Sequence, residues 1–242
     1  ADGQVVLVHG GSAETDRVST LLGHPPKTLT SASGVTSRRT DPETMDIFAM
    51  VYAGKMNTRI VERLQQRGVN TIGLSGLDGR LLTGERKKAI RAVENGRQIL
   101  IRDDLSGKVE AVNTNLIHLL VNAGYNLAVS PPACSTEGEA INVDGDRAAA
   151  VLAGKLGARQ LIILSNVPGL LRSFPDESSL VEKLTLAQLP IASDWAEGRM
   201  KKKVMGAGEA LEMGVKEVVF GDARIPQPIL SARSGKGTVI TR

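Results

Sequence analysis

Cysteine, aromatic residues and long apolar runs are all scarce in this sequence of 242 residues. The single cysteine, Cys134, excludes a disulfide framework and a cysteine-built zinc site, and it suits a reducing compartment. Aromatic residues make up only 2% of the chain, which argues against base-stacking recognition of single-stranded nucleic acid. No apolar run reaches the roughly 18 residues of a membrane-spanning helix, and no charged-then-apolar leader is visible. We therefore expect a cytoplasmic protein that binds neither nucleic acid nor membranes.

Aliphatic runs and helical patterns alternate along the chain, which predicts an α/β fold. Four short aliphatic runs are predicted strands, at positions 5–8, 127–130, 161–164 and 215–220. Four helical patterns accompany them, at positions 44–66, 113–122, 146–156 and 198–213. We expect a three-layer αβα sandwich, in which a mostly parallel central sheet has helices on both faces. Residues 1–242 would form one domain, with a substrate-facing half at 1–140 and a nucleotide-facing half at 141–242.

The segment from Leu81 to Ile101 interrupts this alternation and is predicted to form an antiparallel excursion. Its short strands flank Asn95-Gly96, a pair that strongly favours a hairpin turn. The formal net charge of the chain is +4, and the stretch from Thr83 to Arg102 accounts for it, with six basic residues against two acidic ones. Such a cluster is either a solvated hairpin or a docking face for an acidic partner.

Three motifs follow predicted strands or begin predicted helices. Gly10-Gly11-Ser12 follows a strand, where the free N–H groups of a glycine turn can approach an anion, although many such turns are only turns. The acids of 142–146 precede a helix and are either N-caps or part of a ligand site at the sheet edge. Gly198 to Lys203 begins a helix with three lysines. Cations are unfavourable there, so either a phosphate binds them or they are solvated.

The fourth motif, Arg38-Arg39-Thr40-Asp41, lies between a Gly/Ser-rich loop and a helix. An arginine offers a fork of N–H donors for a carboxylate, but Asp41 is an obvious alternative partner for Arg38. His9, His24 and His118 lack metal-ligand spacing, so we expect no metal site built by the protein alone.

The order of these motifs resembles that of the amino acid kinase family, in its acetylglutamate-kinase-like branch. Along the chain stand Val-His-Gly-Gly at 8–11, Arg-Arg-Thr-Asp at 38–41, Asn-Val-Asp-Gly-Asp at 142–146, Leu-Ser-Asn-Val-Pro-Gly-Leu at 164–170 and Gly-Arg-Met-Lys-Lys-Lys at 198–203. Ser12 stands where acetylglutamate kinases usually carry a third glycine. The segments 52–57 and 74–79, together with the basic cluster at 86–88, are most similar to family members that act on α-aminoadipate attached to an acidic amino-group carrier protein in lysine biosynthesis.

The resemblance implies transfer of a phosphoryl group from ATP to a side-chain carboxylate, with Mg²⁺ bridging the phosphates. The implied catalytic groups are Lys203, Asp146, Gly10 and Gly11, with Asp146 orienting the lysine. The implied substrate-binding residues are Gly10, Gly11, Ser12, Arg38 and Asn142. The implied nucleotide-binding residues are Ser165, Asn166, Val167, Gly169, Leu170 and Lys203. The residues expected to dock the acidic carrier are Arg86, Lys87, Lys88 and Arg91, and the resemblance implies a homodimer.

One expected feature of the family is absent from this sequence. Family members begin with a strand that carries Lys-x-Gly-Gly, and no such segment precedes Val5, so we expect a longer protein. Two alternatives to the aminoadipate reaction stay open. The first is phosphorylation of free N-acetylglutamate, or of carrier-linked glutamate, in arginine biosynthesis. The second is a non-catalytic nucleotide or amino-acid sensor on the same fold, which stays open because the lysine is missing.

Overall fold

The computed structural model describes residues 5–31, 36–94 and 97–242, and it divides into two compact units. Unit 1 ends at Gly145 and unit 2 begins at Asp146, close to the predicted boundary between the two halves. Each unit combines strands and helices, as predicted. The assignment of substrate to one half and nucleotide to the other stays a prediction.

Unit 1 contains two sheets and four α-helices among its described residues. The strands are β1 (Val6–Val8), β2 (Thr28–Ser31), β3 (Thr36–Arg38), β4 (Thr71–Gly76), β5 (Leu82–Arg86), β6 (Ile90–Glu94), β7 (Arg97–Ile101), β8 (Gly107–Val112), β9 (Asn126–Ser135) and β10 (Ala140–Ile141). The helices are α1 (Ser12–Leu21), α2 (Pro42–Ala49), α3 (Thr58–Gln65) and α4 (Thr114–Asn122), and a π-helical segment (Met50–Asn57) joins α2 to α3.

Strand β9 is the centre of the larger sheet of unit 1. It pairs in parallel with β1, β4 and β5, and antiparallel with the short strand β10. Strand β8 completes this six-stranded sheet by pairing antiparallel with β5. Every residue of β9 after Asn126 is buried, as expected for a strand with neighbours on both sides.

The prediction that this strand stops at Pro131-Pro132 is wrong. Ser75 of β4 lies opposite Ser130, but the next residue, Gly76, lies opposite Ala133. This shift in register takes both prolines, which have no N–H to donate, out of the ladder. The strand therefore continues to Ser135.

The predicted antiparallel hairpin is present as β6 and β7, with Ile90 opposite Ile101. Its predicted turn, Asn95-Gly96, lies outside the described residues. Strand β6 also pairs with β2, which gives a second, four-stranded sheet of order β3-β2-β6-β7. The residues from Leu82 to Arg86, predicted as part of the excursion, instead form β5 of the larger sheet. Their partners are distant in sequence, so the local pattern does not show this pairing.

Two helices of unit 1, α2 and α4, begin at residues whose side chains cap them. The carboxylate of Asp41 accepts the N–H of Thr44 at 2.9 Å at the start of α2, and the amide oxygen of Asn113 accepts the N–H of Leu116 at 3.1 Å in α4. The helical pattern predicted at 44–66 corresponds to α2, the π-helical segment and α3 in succession. A π-helical turn is uncommon and often marks a functional site.

Unit 2 contains one four-stranded sheet. Its strands are β11 (Gln160–Ser165), β12 (Lys183–Thr185), β13 (Glu217–Asp222) and β14 (Thr238–Thr241), and its helices are α5 (Gly145–Lys155), α6 (Leu189–Trp195), α7 (Arg199–Glu212) and α8 (Pro228–Arg233). The sheet has the order β11-β13-β14-β12, in which β11 and β13 are parallel and β14 is antiparallel to β13. Leu170, Phe220 and Ile240 are fully buried in its core. In the described part of the chain, no helix is both long enough and apolar enough to cross a membrane.

Candidate functional site

The Gly10-Gly11-Ser12 turn connects β1 to α1, so the predicted strand, glycine turn and helix are all present. Gly10 is exposed, and the carbonyl of Gly11 accepts both the N–H and the hydroxyl of Thr15, at 2.9 and 3.0 Å. No acceptor in the described residues takes the N–H of Gly10 or Gly11. These N–H groups can therefore donate to an anion at the start of α1.

Arg38 lies against this turn. Its Nη2 donates to the carbonyl of Ser12 at 2.9 Å and to Oδ1 of Asp16 at 2.6 Å. The alternative in which Asp41 pairs with Arg38 is wrong, because Asp41 caps α2 and contacts His24. The structure therefore brings Arg38 and Ser12 together, and it adds Asp16, which sequence reasoning missed.

Asn142 belongs to the same unit and contacts the Arg38 segment through Thr40. Its Nδ2 donates to Oγ1 of Thr40 at 2.9 Å. The buried carboxylate of Asp104 accepts the N–H of Thr40 and the N–H of Ser106, each at 2.8 Å. Asp104 thus fixes two backbone segments beside Asn142, and nothing in the local sequence pattern points to this role.

Lys203 and Asp146 form an ion pair within unit 2. Lys203 Nζ lies 2.9 and 3.1 Å from the two carboxylate oxygens of Asp146, and both side chains are largely buried. A lysine ammonium has three N–H donors, and this carboxylate occupies at most two of them. The contact has the geometry that the predicted orienting role of Asp146 requires, while the catalytic role of either residue stays a prediction.

Two further contacts fix the helices that carry this pair. Arg147, next to Asp146 on α5, donates from Nε to both carboxylate oxygens of Glu209 on α7, at 3.0 and 3.1 Å. Gly198 precedes α7 with φ at 51°, a conformation that favours glycine. The predicted start of the lysine-rich helix is therefore confirmed, and α7 is held against the first turn of α5.

The predicted nucleotide loop follows β11. Ser165 Oγ donates to the carbonyl of Val167 at 3.2 Å, and Asn166 is exposed. Leu170 is 1% exposed, and its N–H donates to Oγ1 of Thr238 at 2.8 Å. This bond anchors Leu170 in the core, and its assignment as a nucleotide contact stays a prediction. Gly169 is also buried.

Asp222 lies opposite Ser165 at the ends of the parallel strands β13 and β11, the edge where open α/β sheets bind ligands. Bonds from the Arg224 guanidinium and, in smaller part, its backbone N–H hold the pKa of Asp222 below its usual range, although burial opposes the shift. The N–H of Ala223 donates to the carbonyl of Ser165 at 2.7 Å. Asp222 and Arg224 thus brace this edge, a role not predicted from the sequence.

The four predicted docking residues divide into two groups. Arg86 donates to the carbonyls of Asp104 and Arg102, at 3.1 and 2.9 Å, so it holds the structure of unit 1 together. Lys87, Lys88 and Arg91 are exposed. Only these three residues have the exposure that a docking role requires.

The described residues contain no cluster of three or more His, Cys, Asp or Glu side chains that could hold a metal ion.

A comparison with protein families decides the relationship that the motifs suggest. The model described as "Amino acid kinase family" matches residues 1–222. The chain belongs to the amino acid kinase family. This membership confirms the predicted α/β amino acid kinase fold.

Two curated members of the amino acid kinase family are similar to this chain over nearly its whole length. The LysW-aminoadipate kinase of Deinococcus radiodurans is 57% identical over 238 residues, which cover 98% of this chain and 82% of that protein. The LysW-aminoadipate kinase of Thermus thermophilus is 55% identical over 239 residues, which cover 98% of this chain and 89% of that protein.

A solved structure agrees on the fold. The protein smu.665 of Streptococcus mutans superposes with a TM-score of 0.78 at 22% identity, over 98% of this chain and 86% of that one. At this identity the likeness concerns the fold alone.

Proposed function

We propose that this protein transfers the γ-phosphoryl group of ATP to the side-chain carboxylate of L-2-aminoadipate carried by an acidic amino-group carrier protein. The product is an acyl phosphate in lysine biosynthesis. The observation that carries the proposal is the 57% identity, over 98% of the chain, to a relative named for this carrier-linked substrate.

The chemistry demands positioning and neutralisation rather than a base. A carboxylate is already ionised at neutral pH, so its oxygen can attack phosphorus directly. A new O–P bond forms, the bond from phosphorus to the bridging oxygen breaks, and ADP leaves with that electron pair. Two unit charges 4 Å apart interact by roughly 4 kcal/mol at an effective dielectric of 20, so donors must offset the repulsion between the carboxylate and the phosphates.

We assign the acceptor to unit 1 and the nucleotide to unit 2. Gly10, Gly11 and Ser12 would donate backbone N–H groups, and Arg38 and Asn142 would hold the substituent on the α-carbon of the acceptor. In unit 2, Lys203 would bind the migrating phosphoryl group while Asp146 holds its ammonium. Residues 165–170 would contact ATP, with Mg²⁺ on its phosphates.

The carrier protein would dock on a surface formed by Lys87, Lys88 and Arg91, which we call the basic surface. Arg91 points to the same face of the hairpin as Val93 and Leu100, two apolar residues that are 40% and 49% exposed. Basic and apolar groups side by side suit an acidic protein partner better than a small amino acid. The family resemblance also supports a cytoplasmic location and a homodimer, and sedimentation of the purified protein can test the dimer.

Trapping with hydroxylamine tests the proposal, because it converts an acyl phosphate to a hydroxamate. The full-length protein would be assayed with ATP and Mg²⁺ on carrier-linked aminoadipate, carrier-linked glutamate and free N-acetylglutamate. We expect the highest kcat/KM for carrier-linked aminoadipate. A higher kcat/KM for either glutamate substrate would assign the reaction to arginine biosynthesis. ATP binding without any hydroxamate formation would indicate a non-catalytic sensor.

A further inference from the structure

A buried histidine and a buried asparagine lie directly behind the Gly10-Gly11 turn, and the proposed function uses neither of them. His9 is 9% exposed and Asn57 is 4% exposed. The rings of His9 and Tyr52 are stacked, with centroids 6.3 Å apart. Burying two polar side chains is costly unless their hydrogen bonds are satisfied, so their contacts show what they do.

The hydrogen bonds of this pair define the protonation of the imidazole. Asn57 Nδ2 donates to the carbonyl of Ala128 at 2.9 Å and lies 3.1 Å from His9 Nε2. An amide nitrogen only donates, so Nε2 must be the acceptor and the proton must be on Nδ1. His9 Nδ1 lies 3.0 Å from the carbonyl oxygen of Gly10 and donates to it. Burial lowers the pKa of His9, against the smaller effect of the bond to Gly10, which favours this neutral form.

The bond from His9 to Gly10 also orients the next N–H group. In a planar trans peptide the C=O of one residue and the N–H of the following residue point in opposite directions. Because His9 holds the carbonyl of Gly10, the N–H of Gly11 points away from His9. Apart from the chain neighbours His9 and Gly11, no described residue has an atom within 4 Å of the position that a Cβ of Gly10 would occupy, so the turn is open there.

We propose that His9 is a positioning residue, which aims the Gly11 N–H at the transferring phosphoryl group by holding the Gly10 carbonyl. This inference rests on the proposed function, because it concerns the donor that stabilises the charge in that reaction. Asn57 acts one step further away, since it fixes the imidazole in the tautomer that donates to Gly10.

The backbone of β4 makes room for Asn57. An ideal Cβ on Gly73 would lie far too close to Asn57 Oδ1, so any side chain at this position would displace the amide. The π-helical segment ends at Asn57 and places it beside His9, Gly73 of β4 and Ala128 of β9. The position of Asn57 is thus set by the fold around it.

Two substitutions at His9 separate positioning from simple packing. The amide nitrogen of asparagine is as many bonds from Cα as Nδ1 of histidine, so His9→Asn can still donate to Gly10. The amide oxygen of glutamine is as many bonds from Cα as Nε2 of histidine, so His9→Gln can still accept the N–H of Asn57 while it loses the bond to Gly10. His118→Gln, at an exposed histidine, is the control for a histidine lost elsewhere.

We expect His9→Gln to lower kcat by about tenfold to a hundredfold, less than complete loss of one preorganised donor, with the KM for ATP within about twofold. His9→Asn should keep kcat within about threefold of the wild type, although it loses the bond from Asn57. Equal kcat values for the two variants, or a greater loss in His9→Asn, would overturn the inference. Melting temperatures show whether either protein is misfolded.

The amide resonance of Gly11 separates this inference from the proposed function. In protein labelled with [¹⁵N]glycine and free of substrates, we expect the Gly11 signal of His9→Asn near that of the wild type and that of His9→Gln shifted. If the wild type forms no hydroxamate, the proposed function fails, while this pattern still shows that His9 orients the turn. If the wild type is active and both variants leave the Gly11 signal unchanged, the inference fails alone.

Discussion

Units 1 and 2 each contain a group suited to a phosphate, and the two groups are made differently. In unit 1 the donors are backbone N–H groups of Gly10 and Gly11, held from behind by the neutral side chains of His9 and Asn57. In unit 2 the donor is the full charge of Lys203, held by the opposite charge of Asp146. Backbone donors are fixed by the fold, whereas a lysine on a flexible stem needs a partner to fix it.

The difference determines how each group can fail. A substitution in unit 1 acts through the direction of a peptide group, and the number of charges does not change. A substitution at the ion pair changes the charge that faces the phosphates, and its effect on the reaction should be larger.

Removing the charged donor is expected to have the largest effect. Lys203→Ala should lower kcat by about two to three orders of magnitude, the loss typical of one preorganised donor, while the fold stays intact. Hydroxamate formation measures this loss. Lys201→Ala, at an exposed lysine of the same helix, is the matched control and should stay near the wild type. Normal turnover in Lys203→Ala would show that Lys203 has no role in the reaction.

Neutralising the partner of the lysine should have the next largest effect. A hydrogen bond between charged groups contributes about 1.5–3 kcal/mol, so Asp146→Asn should lower kcat by roughly ten- to a hundredfold. The KM for ATP should change less. Glu209→Gln is the control, because it weakens a different ion pair between α5 and α7, that of Arg147 with Glu209, and leaves Lys203 in place. If the affinity for ATP falls as much as kcat, Asp146 is a binding residue rather than a positioning residue.

Asp104→Asn is the corresponding test in unit 1. One amide oxygen cannot replace both carboxylate oxygens that accept the N–H groups of Thr40 and Ser106. We expect a loss of about 1–3 kcal/mol in the free energy of unfolding, measured by urea denaturation. Because Arg38 and Asn142 adjoin these segments, the KM for the acceptor should rise while the KM for ATP does not. Equal changes in both KM values would indicate a general loss of structure.

Charge reversal on the basic surface should have the smallest effect. Changing Lys87, Lys88 and Arg91 to Glu should raise the KM for the carrier several-fold at low salt, because complementary charge mainly accelerates association. The difference from the wild type should shrink as salt rises, since the screening length is about 10 Å at 0.1 M.

Arg86→Gln is the comparison for these three exposed residues. It should lower the melting temperature with little change in the salt dependence, because Arg86 bonds to backbone carbonyls. If the wild type and the charge-reversed protein show the same flat response to salt, the basic surface does not dock the carrier.

Local patterns in the sequence predict the parts of the site that are local in the chain. The glycine turn before α1, the first turn of α5 and the lysine-rich start of α7 are each contained in a few residues, and the structure has all three, while their roles in the reaction stay predictions. The contact of Lys203 with Asp146 follows from the family resemblance, since the two residues are far apart in sequence.

The errors concern contacts between distant residues. The sequence groups Arg86 with its basic neighbours, but it cannot show that the Arg86 guanidinium donates to two backbone carbonyls. Asp41 is closer in sequence to Arg38 than Asp16 is, yet Asp41 caps a helix. His9 shows no metal-ligand spacing, and its hydrogen bond to Asn57 joins residues 48 positions apart, so it appears only when the π-helical segment is placed beside the residue that follows β1.

The direction in which the side chain of Asn57 points depends on the number of residues in the π-helical segment. Each residue of an α-helix turns the chain by about 100°, so deleting one residue between Met50 and Asn57 would rotate every later side chain by that angle. A deletion that restored ideal α-helical geometry would improve the helix and carry the asparagine away from His9. In this segment, variation in length is therefore more damaging than variation in side chains, and aligned relatives should conserve its residue count even where its sequence differs.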